Sequence, residues 1–230
     1  MDMTPDRWRG IESYQHVVFG DEDDALKRIT ARAVEAGLPD ISIGPEVGRL
    51  ICILAALAAE GAGDRPPRAL EIGTLAGYSG VWLARGLGSR GTLVTLEIEE
   101  RHADVARRSF AETGLNDRVD LRLGDSADLL PELAEEVGPG GLDLVFLDGE
   151  KASYEDEFCL VRPLLRAGGL FIADNALGSN SWCITDSPGS SESRDAVDRL
   201  NRRIAVDPGF MSVTLPLRQG VLVARRMQAG

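Results

Sequence analysis

The chain is poor in lysine, histidine, cysteine and aromatic rings, and each shortage removes a class of explanation. Its basic residues are 23 arginines and only two lysines, Lys27 and Lys151, against 37 acids, for a net charge of −12. This balance argues against a nucleic-acid binder, which needs a basic stripe, and against docking on anionic lipid. Only His16 and His102 could assist a zinc site, and neither has a ligand-spaced companion. Cys52, Cys159 and Cys183 are odd in number and lack metal-like spacing. Cys52 lies in an apolar run and Cys159 sits between Phe158 and Leu160, so buried thiols of a cytosolic protein are expected. The longest apolar run, Leu50–Ala59, has ten residues. A membrane span needs about 18, so this run reads as a buried helix. The N-terminal stretch MDMTPDRWRG has no signal-peptide core. A cytoplasmic protein without membrane partners is the expectation.

What is present is a regular alternation. Residues 1–20 show no clear period. Asp21–Ala36 reads as a helix stopped by Gly37 and Pro39, and Pro45 starts a second helix through Ala59. Strands are expected at Arg68–Ile72, Thr92–Glu97, Val119–Leu123, Leu142–Leu147 and Gly169–Ala173. Helices are expected at Tyr78–Leu87, Arg101–Thr113, Ala127–Glu136, Tyr154–Leu165 and Glu192–Val206. Strands separated by helices imply βαβ units and a parallel sheet. The last two strands, Met211–Leu217 and Gly220–Arg226, are too close for a crossover helix and must be antiparallel. The expected fold is α/β: one doubly wound, mostly parallel seven-stranded sheet, in a single domain over 1–230. Ligands bind such sheets beyond the carboxyl ends of the strands.

Those ends carry distinctive residues. The first strand runs into Glu71-Ile72-Gly73-Thr74-Leu75-Ala76-Gly77-Tyr78-Ser79. The dinucleotide fingerprint needs a glycine where Leu75 stands, which speaks against NAD or FAD. Glu97 ends the second strand, where an acid can accept ribose hydroxyls; a solvated glutamate is the plain alternative. Gly124-Asp125-Ser126 ends the third strand and can flank a base, cap a helix, or do both. Asp148 ends the fourth strand, and Asp174-Asn175 the fifth. Neighbouring parallel strands lie about 4.8 Å apart, so two carboxylates and an amide can converge, a hard oxygen set suited to Mg²⁺ or Ca²⁺, of which Mg²⁺ usually keeps positions open for water or substrate. Capping of helices or turns is the alternative for both aspartates. Lys151 follows Asp148 by three residues. In a chain that otherwise uses arginine, a lysine there suits a proton acceptor, which arginine cannot be; a plain surface lysine is the alternative. His102 reads as solvated, and the acidic run Asp21–Asp24 as a solvated helix start. Trp8, Tyr14 and Trp182 are candidate aromatic walls, with surface or interface packing an equal alternative.

In this order and spacing, EIGTLAGYS, Glu97, GDS, FLDGEKASY and ADN resemble the cation-dependent small-molecule O-methyltransferases, the catechol and caffeoyl-CoA type and their bacterial relatives. The resemblance runs from about Leu38 to Arg226, and the terminal hairpin matches the reversed strand of the S-adenosylmethionine (SAM) methyltransferase fold. It implies Asp148, Asp174 and Asn175 as Mg²⁺ ligands and Lys151 as catalytic base, with Asp148 beside it. It implies SAM contacts at Ile43, Glu71, Gly73, Ser79, Glu97, Ser126 and Asp148. It also implies an N-terminal helical cap over the substrate (1–40), with a possible binding role for His16, and a homodimer. Two departures stand out. Bacterial members often read DADK where this chain has Asp148-Gly149-Glu150-Lys151, which places Glu150 where relatives contact substrate, and the 176–190 loop differs from the usual apolar pattern. The expected activity is methyl transfer from SAM to a hydroxyl of a catechol-like or secondary-metabolite acceptor. A metal-independent SAM methyltransferase acting on oxygen or nitrogen, a dinucleotide oxidoreductase and a non-catalytic SAM-binding module stay open.

Overall fold

Short β-branched and leucine-rich runs bounded by glycine turns make the strands: β1 (Arg68–Ile72), β2 (Thr92–Glu97), β3 (Val119–Leu123), β4 (Leu142–Leu147), β5 (Leu165–Asp174), β6 (Phe210–Leu215) and β7 (Val221–Arg226). The computed structural model describes residues 4–178 and 192–228; Trp182, Cys183 and most of the 176–190 loop lie outside them. The strands form one sheet in the order β3-β2-β1-β4-β5-β7-β6. β1 to β5 run parallel, and β7 is antiparallel to both β5 and β6. Strand order reverses between β1 and β4, so the crevice at their carboxyl ends is the topological switch point.

Helices cover both faces, and the pleat of β4 divides the core between them. Leu144 and Phe146 pack with residues of α2 (Asp24–Glu35), α3 (Pro45–Glu60), α4 (Tyr78–Gly86) and α5 (Glu100–Glu112). Val145 and Leu147 pack with residues of α6 (Ser126–Val137), α7 (Tyr154–Val161) and α8 (Glu192–Val206). This alternation is the period of two of a strand buried on both faces. At the amino end of the sheet Asp143, with no exposed surface, accepts from Arg65 Nη1 and Nη2 at 2.8 Å each, Arg166 Nε at 2.6 Å and Arg68 N at 2.8 Å.

The structure departs from the sequence reading at four places. Residues read as aperiodic form α1 (Pro5–Phe19), capped by the Thr4 hydroxyl on Arg7 N with proline in its first turn. Its described residues bury no side chain fully, but the Thr-Pro start and the recurrence of Trp8, Ile11, Tyr14 and Val18 were legible signals. The helix after β4 stops at Val161, and β5 begins at Leu165, four residues earlier than expected. The Gly168-Gly169 pair sits where the β4–β5 register shifts, so the strand passes through an irregularity that its glycines conceal. Leu50–Ala59 is helical but not buried all round: Ile51, Ala55 and Ala58 are buried while Ile53 and Leu57 face outward. Finally, Cys159 is exposed and Cys52 half-buried, both free, because the helical turn that buries Phe158 carries Cys159 outward.

Candidate active site

The carboxyl ends of β1, β2, β4 and β5 open into a cavity of about 780 Å³, within the range of roughly 300–1,000 Å³ for small-molecule sites. Its floor depends on the turn after β1. Gly73 has φ of 97°, and a Cβ there would lie 2.6 Å from the Asp148 carbonyl oxygen. Conformation and the close approach of the β1 and β4 ends both require glycine. Leu75 also takes a left-handed φ, 49°, uncommon without glycine. It is held there because its N–H donates to Glu97 Oε2 at 2.8 Å. Thr74 N reaches the same oxygen at 3.2 Å and Glu99 N reaches Oε1 at 2.9 Å. Glu97 is therefore a buried carboxylate fixed by backbone donors, not a solvated one. A carboxylate has about four acceptor sites, so it keeps capacity for a further donor. His102 Nδ1 lies 3.4 Å from Glu97 Oε1 on the same wall, which overturns its reading as a solvated residue.

Ile43, Gly73, Ser79, Glu97 and Ser126 all line the cavity. Glu71 does not. It is fully buried, takes a hydrogen bond from Thr95 Oγ1 at 2.6 Å and another from Ser79, and leaves Oε1 without a partner. Burial pushes its pKa up to about 8 despite those two bonds. Asp125 caps α6 through Ala127 N at 2.9 Å. Ser126 Oγ donates to Glu157 Oε1 at 2.7 Å, and Glu157 is a wall residue that the sequence reading missed. Its Oε2 is buried and unpartnered, and burial lifts its pKa to about 7 against the Ser126 bond. The signal was present: Glu157 falls on the helix face of Tyr154, Phe158 and Val161, the apolar one.

At the other end, β4 and β5 are paired through Leu147 and Ala173, so Asp148 and Asp174 leave adjacent strands side by side. Lys151 Nζ donates to Asp148 Oδ1 at 3.0 Å, to Gly149 O at 3.1 Å and to Tyr154 Oη at 2.7 Å. Tyr154, fully buried, donates in turn to Leu147 O at 3.0 Å. Lys151 is thus a held side chain, not a surface one. Asn175, with φ of 57°, donates from Nδ2 to Asp174 Oδ2 at 3.1 Å and to Gln219 Oε1 at 2.8 Å. Asp174 Oδ1 is buried and has no partner. Burial raises the pKa of Asp148, opposed by Lys151. Burial, and then the charge of Asp148, raises Asp174 to about 7. An orphaned carboxylate oxygen beside a second carboxylate fits a hard divalent cation. No group of three or more His, Cys, Asp or Glu that could hold a metal ion occurs among the described residues, so a cation here would need an amide as well. Asn175 Oδ1 is the remaining acceptor of that side chain.

The wall between these ends comes from residues 40–43 and from the β6–β7 turn, Arg218 and Gln219; of these only Ile43 was singled out as a site residue from the sequence. Glu150 caps the 3-10 turn Lys151–Ser153 and also lines the cavity. No described residue before Asp40 does so. The N-terminal segment instead reaches the wall at one remove, where Tyr78 Oη donates to Glu22 at 2.7 Å; His16 Nδ1 lies 3.0 Å from Glu46, which is off the wall. Tyr14 is exposed and Trp8 half-buried, both off the cavity wall.

The chain resembles known O-methyltransferases over most of its length. Residues 16–227 match a family model described as O-methyltransferase. A catechol O-methyltransferase of Niastella koreensis is 39% identical over 170 residues, 74% of each chain. An O-methyltransferase from Bacillus cereus, solved in complex with S-adenosylhomocysteine (SAH), superposes with a TM-score of 0.84 at 30% identity, covering 96% of this chain and 99% of that one. TomG from Streptomyces achromogenes, an O-methyltransferase of tomaymycin synthesis solved with SAM, gives 0.83 at 28% identity, covering 99% and 100%.

Proposed function

The chain belongs to the O-methyltransferase family, and on that footing we propose that it transfers the methyl group of SAM to a hydroxyl of a small catechol-like acceptor, with a divalent cation and Lys151 assisting. One observation carries the reading: the buried, partnerless Asp174 Oδ1 lies beside Asp148 and Asn175, in the same cavity as the backbone-locked Glu97. Bound there, SAM supplies an electrophilic methyl group and the cation lowers the free energy of an acceptor oxyanion. Asp148, Asp174 and Asn175 would hold the cation. Ile43, Gly73, Ser79, Glu97, Ser126 and Asp148 would hold SAM, and Glu71 would act from behind by fixing Ser79 and Thr95.

Lys151 is the proton acceptor in this reading. A phenol of pKa about 10 is a poor nucleophile until deprotonated. The Nζ contacts to Asp148, Gly149 and Tyr154 fix the nitrogen and use all three donors of an ammonium. Lys151 therefore takes the phenol proton only as the neutral amine, one N–H having been given up to solvent and the freed lone pair turned to the acceptor hydroxyl. Positioning of this kind can supply roughly 7–11 kcal/mol of barrier reduction. Helices α1 and α2 belong to the same domain and would cap the acceptor end, through contacts such as Glu22–Tyr78. A homodimer is proposed on the family resemblance alone.

A metal-independent methyltransferase is the second reading, favoured by Lys151 already pairing Asp148. Calorimetry separates the two. SAH titrated into EDTA-treated protein should bind in the micromolar range, and caffeic acid should bind only after Mg²⁺ is added. Asp174→Ala should keep SAH binding and lose metal-dependent turnover by about 10³-fold, the several kcal/mol expected of a Lewis acid. Full activity in that variant would sink the metal assignment. No SAH binding by the wild-type protein would sink methyl transfer from SAM.

A further inference from the structure

The acceptor's own chemistry can be narrowed from the β6–β7 turn. Arg218 sits at its tip, on the cavity wall with Asp148, Lys151, Asp174 and Asn175. Its backbone is held in the left-handed region at φ 51°, an unusual place for a long side chain. The turn is fastened to the segment after β5: Ala176 N donates to Gly220 O at 2.8 Å and Leu177 N to Gln219 O at 2.9 Å. Gln219 Oε1 takes the bond from Asn175 at 2.8 Å. The base of Arg218 is therefore fixed to the same backbone that presents Asp174 and Asn175.

The guanidinium is directed but underused. Nη1 donates to Ser42 O at 3.2 Å, and the stem runs against Gly44. Arg218 thus crosses from the hairpin to the 40–43 wall. Most of its five N–H donors stay available, and no carboxylate lies within ion-pair distance among the described residues, although its charge is felt at Asp148 and Asp174. Arg218 therefore stands near the aspartates without an ion-pair partner among the described residues, and a guanidinium with donors to spare beside a reaction site suits an anionic group on the ligand.

We propose that Arg218 recognises a carboxylate on the methyl acceptor, so that the preferred substrates are hydroxylated aromatic acids and not neutral catechols. The inference rests on the methyl-transfer reading above. A planar carboxylate matches the guanidinium fork in a bidentate pair. A single negative charge also balances a single arginine, whereas a dianion such as a phosphate would meet uncompensated repulsion from Asp148, Asp174 and Glu150, which share the wall. The flexible stem lets the fork reach acceptors of different length while the turn fixes its origin.

The test compares 3,4-dihydroxybenzoate and 3,4-dihydroxyphenylacetate with catechol and 4-methylcatechol, in the wild-type protein and in Arg218→Ala and Arg218→Lys. SAH affinity is measured alongside by calorimetry. The wild type should favour the acids at least tenfold in kcat/KM. Arg218→Ala should collapse that ratio to within about twofold of one, chiefly through KM for the acids. Arg218→Lys, which keeps charge but loses the fork, should fall between. Equilibrium binding of the acids should weaken in the same order. A wild-type ratio near one overturns the proposal. So does an Arg218→Ala effect equal on acids and neutral catechols, which would make Arg218 only a counter-charge to the two aspartates. If the wild type fails to bind SAH, the methyl-transfer reading falls and takes the proposal with it; SAH binding without acid preference removes the proposal alone.

Discussion

Asp143 and Asp148 mark the two ends of β4, five residues apart in sequence and opposite in condition. Asp143, at the amino end, is wholly buried and saturated: two arginines and a backbone amide supply every bond it needs. Asp148, at the carboxyl end, has Lys151 for a partner, and its neighbour Asp174 leaves one oxygen with none. Glu71 and Glu157 at that end are short of a donor as well. Burying a carboxylate without partners costs several kcal/mol, and folding alone gives no reason to accumulate such groups. The difference teaches that the amino end is finished by the chain itself, whereas the carboxyl end is left for ligands to complete.

The largest effect should come from removing Lys151, the proton acceptor we propose at the unfinished end. Lys151→Arg keeps a cation near Asp148 but cannot release a proton, so kcat should fall by about 10²–10⁴. Single-turnover rates at saturating SAM and acceptor measure this, and circular dichroism checks that the fold persists. A rate equal to wild type would make Lys151 a structural partner of Asp148, and the two ends of β4 would then differ less than their geometry suggests.

Next in size is the opposite experiment. Asp143→Ala leaves Arg65 and Arg166 facing each other with no carboxylate between them. Breaking a buried pair from one side costs about 3–5 kcal/mol, to be read from urea unfolding. The rate per folded molecule should hold, because no residue of this network touches the cavity. A stability loss below about 1 kcal/mol would mean that the amino end is held by its apolar neighbours and not by the arginines.

The same contrast explains what the sequence could and could not reveal. β1, β2, β3 and β4 were legible to the residue because short apolar runs between glycine turns have one period and no competitor. That Asp148, Lys151, Asp174 and Asn175 come together was legible because they follow neighbouring strands of the sheet, and Lys151 drew notice as one of only two lysines. Arg218 was hidden: its role depends on a turn folding back to residues 175–177 and 42, between 40 and 180 positions away, and no local pattern encodes that distance. Glu97 was found, but not the backbone donors that lock it, since these follow from the left-handed bend at Leu75. α1 was missed although Thr4 caps it and Trp8, Ile11, Tyr14 and Val18 recur at near-helical spacing, because Val17 and Phe19 beside Val18 blur the stripe and none of these apolar residues is fully buried.

The smallest effect isolates a single incomplete carboxylate. Glu157 has its pKa lifted from 4.5 to about 7, first by burial, against the Ser126 bond. Between these values the folded protein holds a proton that the unfolded chain has released. Stability therefore falls as pH rises through that window, and the loss is complete above it. Glu157→Gln keeps an acceptor for Ser126 and removes the titration. Its Tm should match wild type near pH 4, rise above it through the window, and run parallel above about pH 8. The gap should be at most roughly 3 kcal/mol, from about 1.4 kcal/mol per pKa unit, where 1 kcal/mol moves Tm by about 2–4 °C in a chain of this size. Parallel curves across the whole range would show that Glu157 finds in solution the donor it lacks here, and the carboxyl end would then be unfinished only at Asp174 and Glu71.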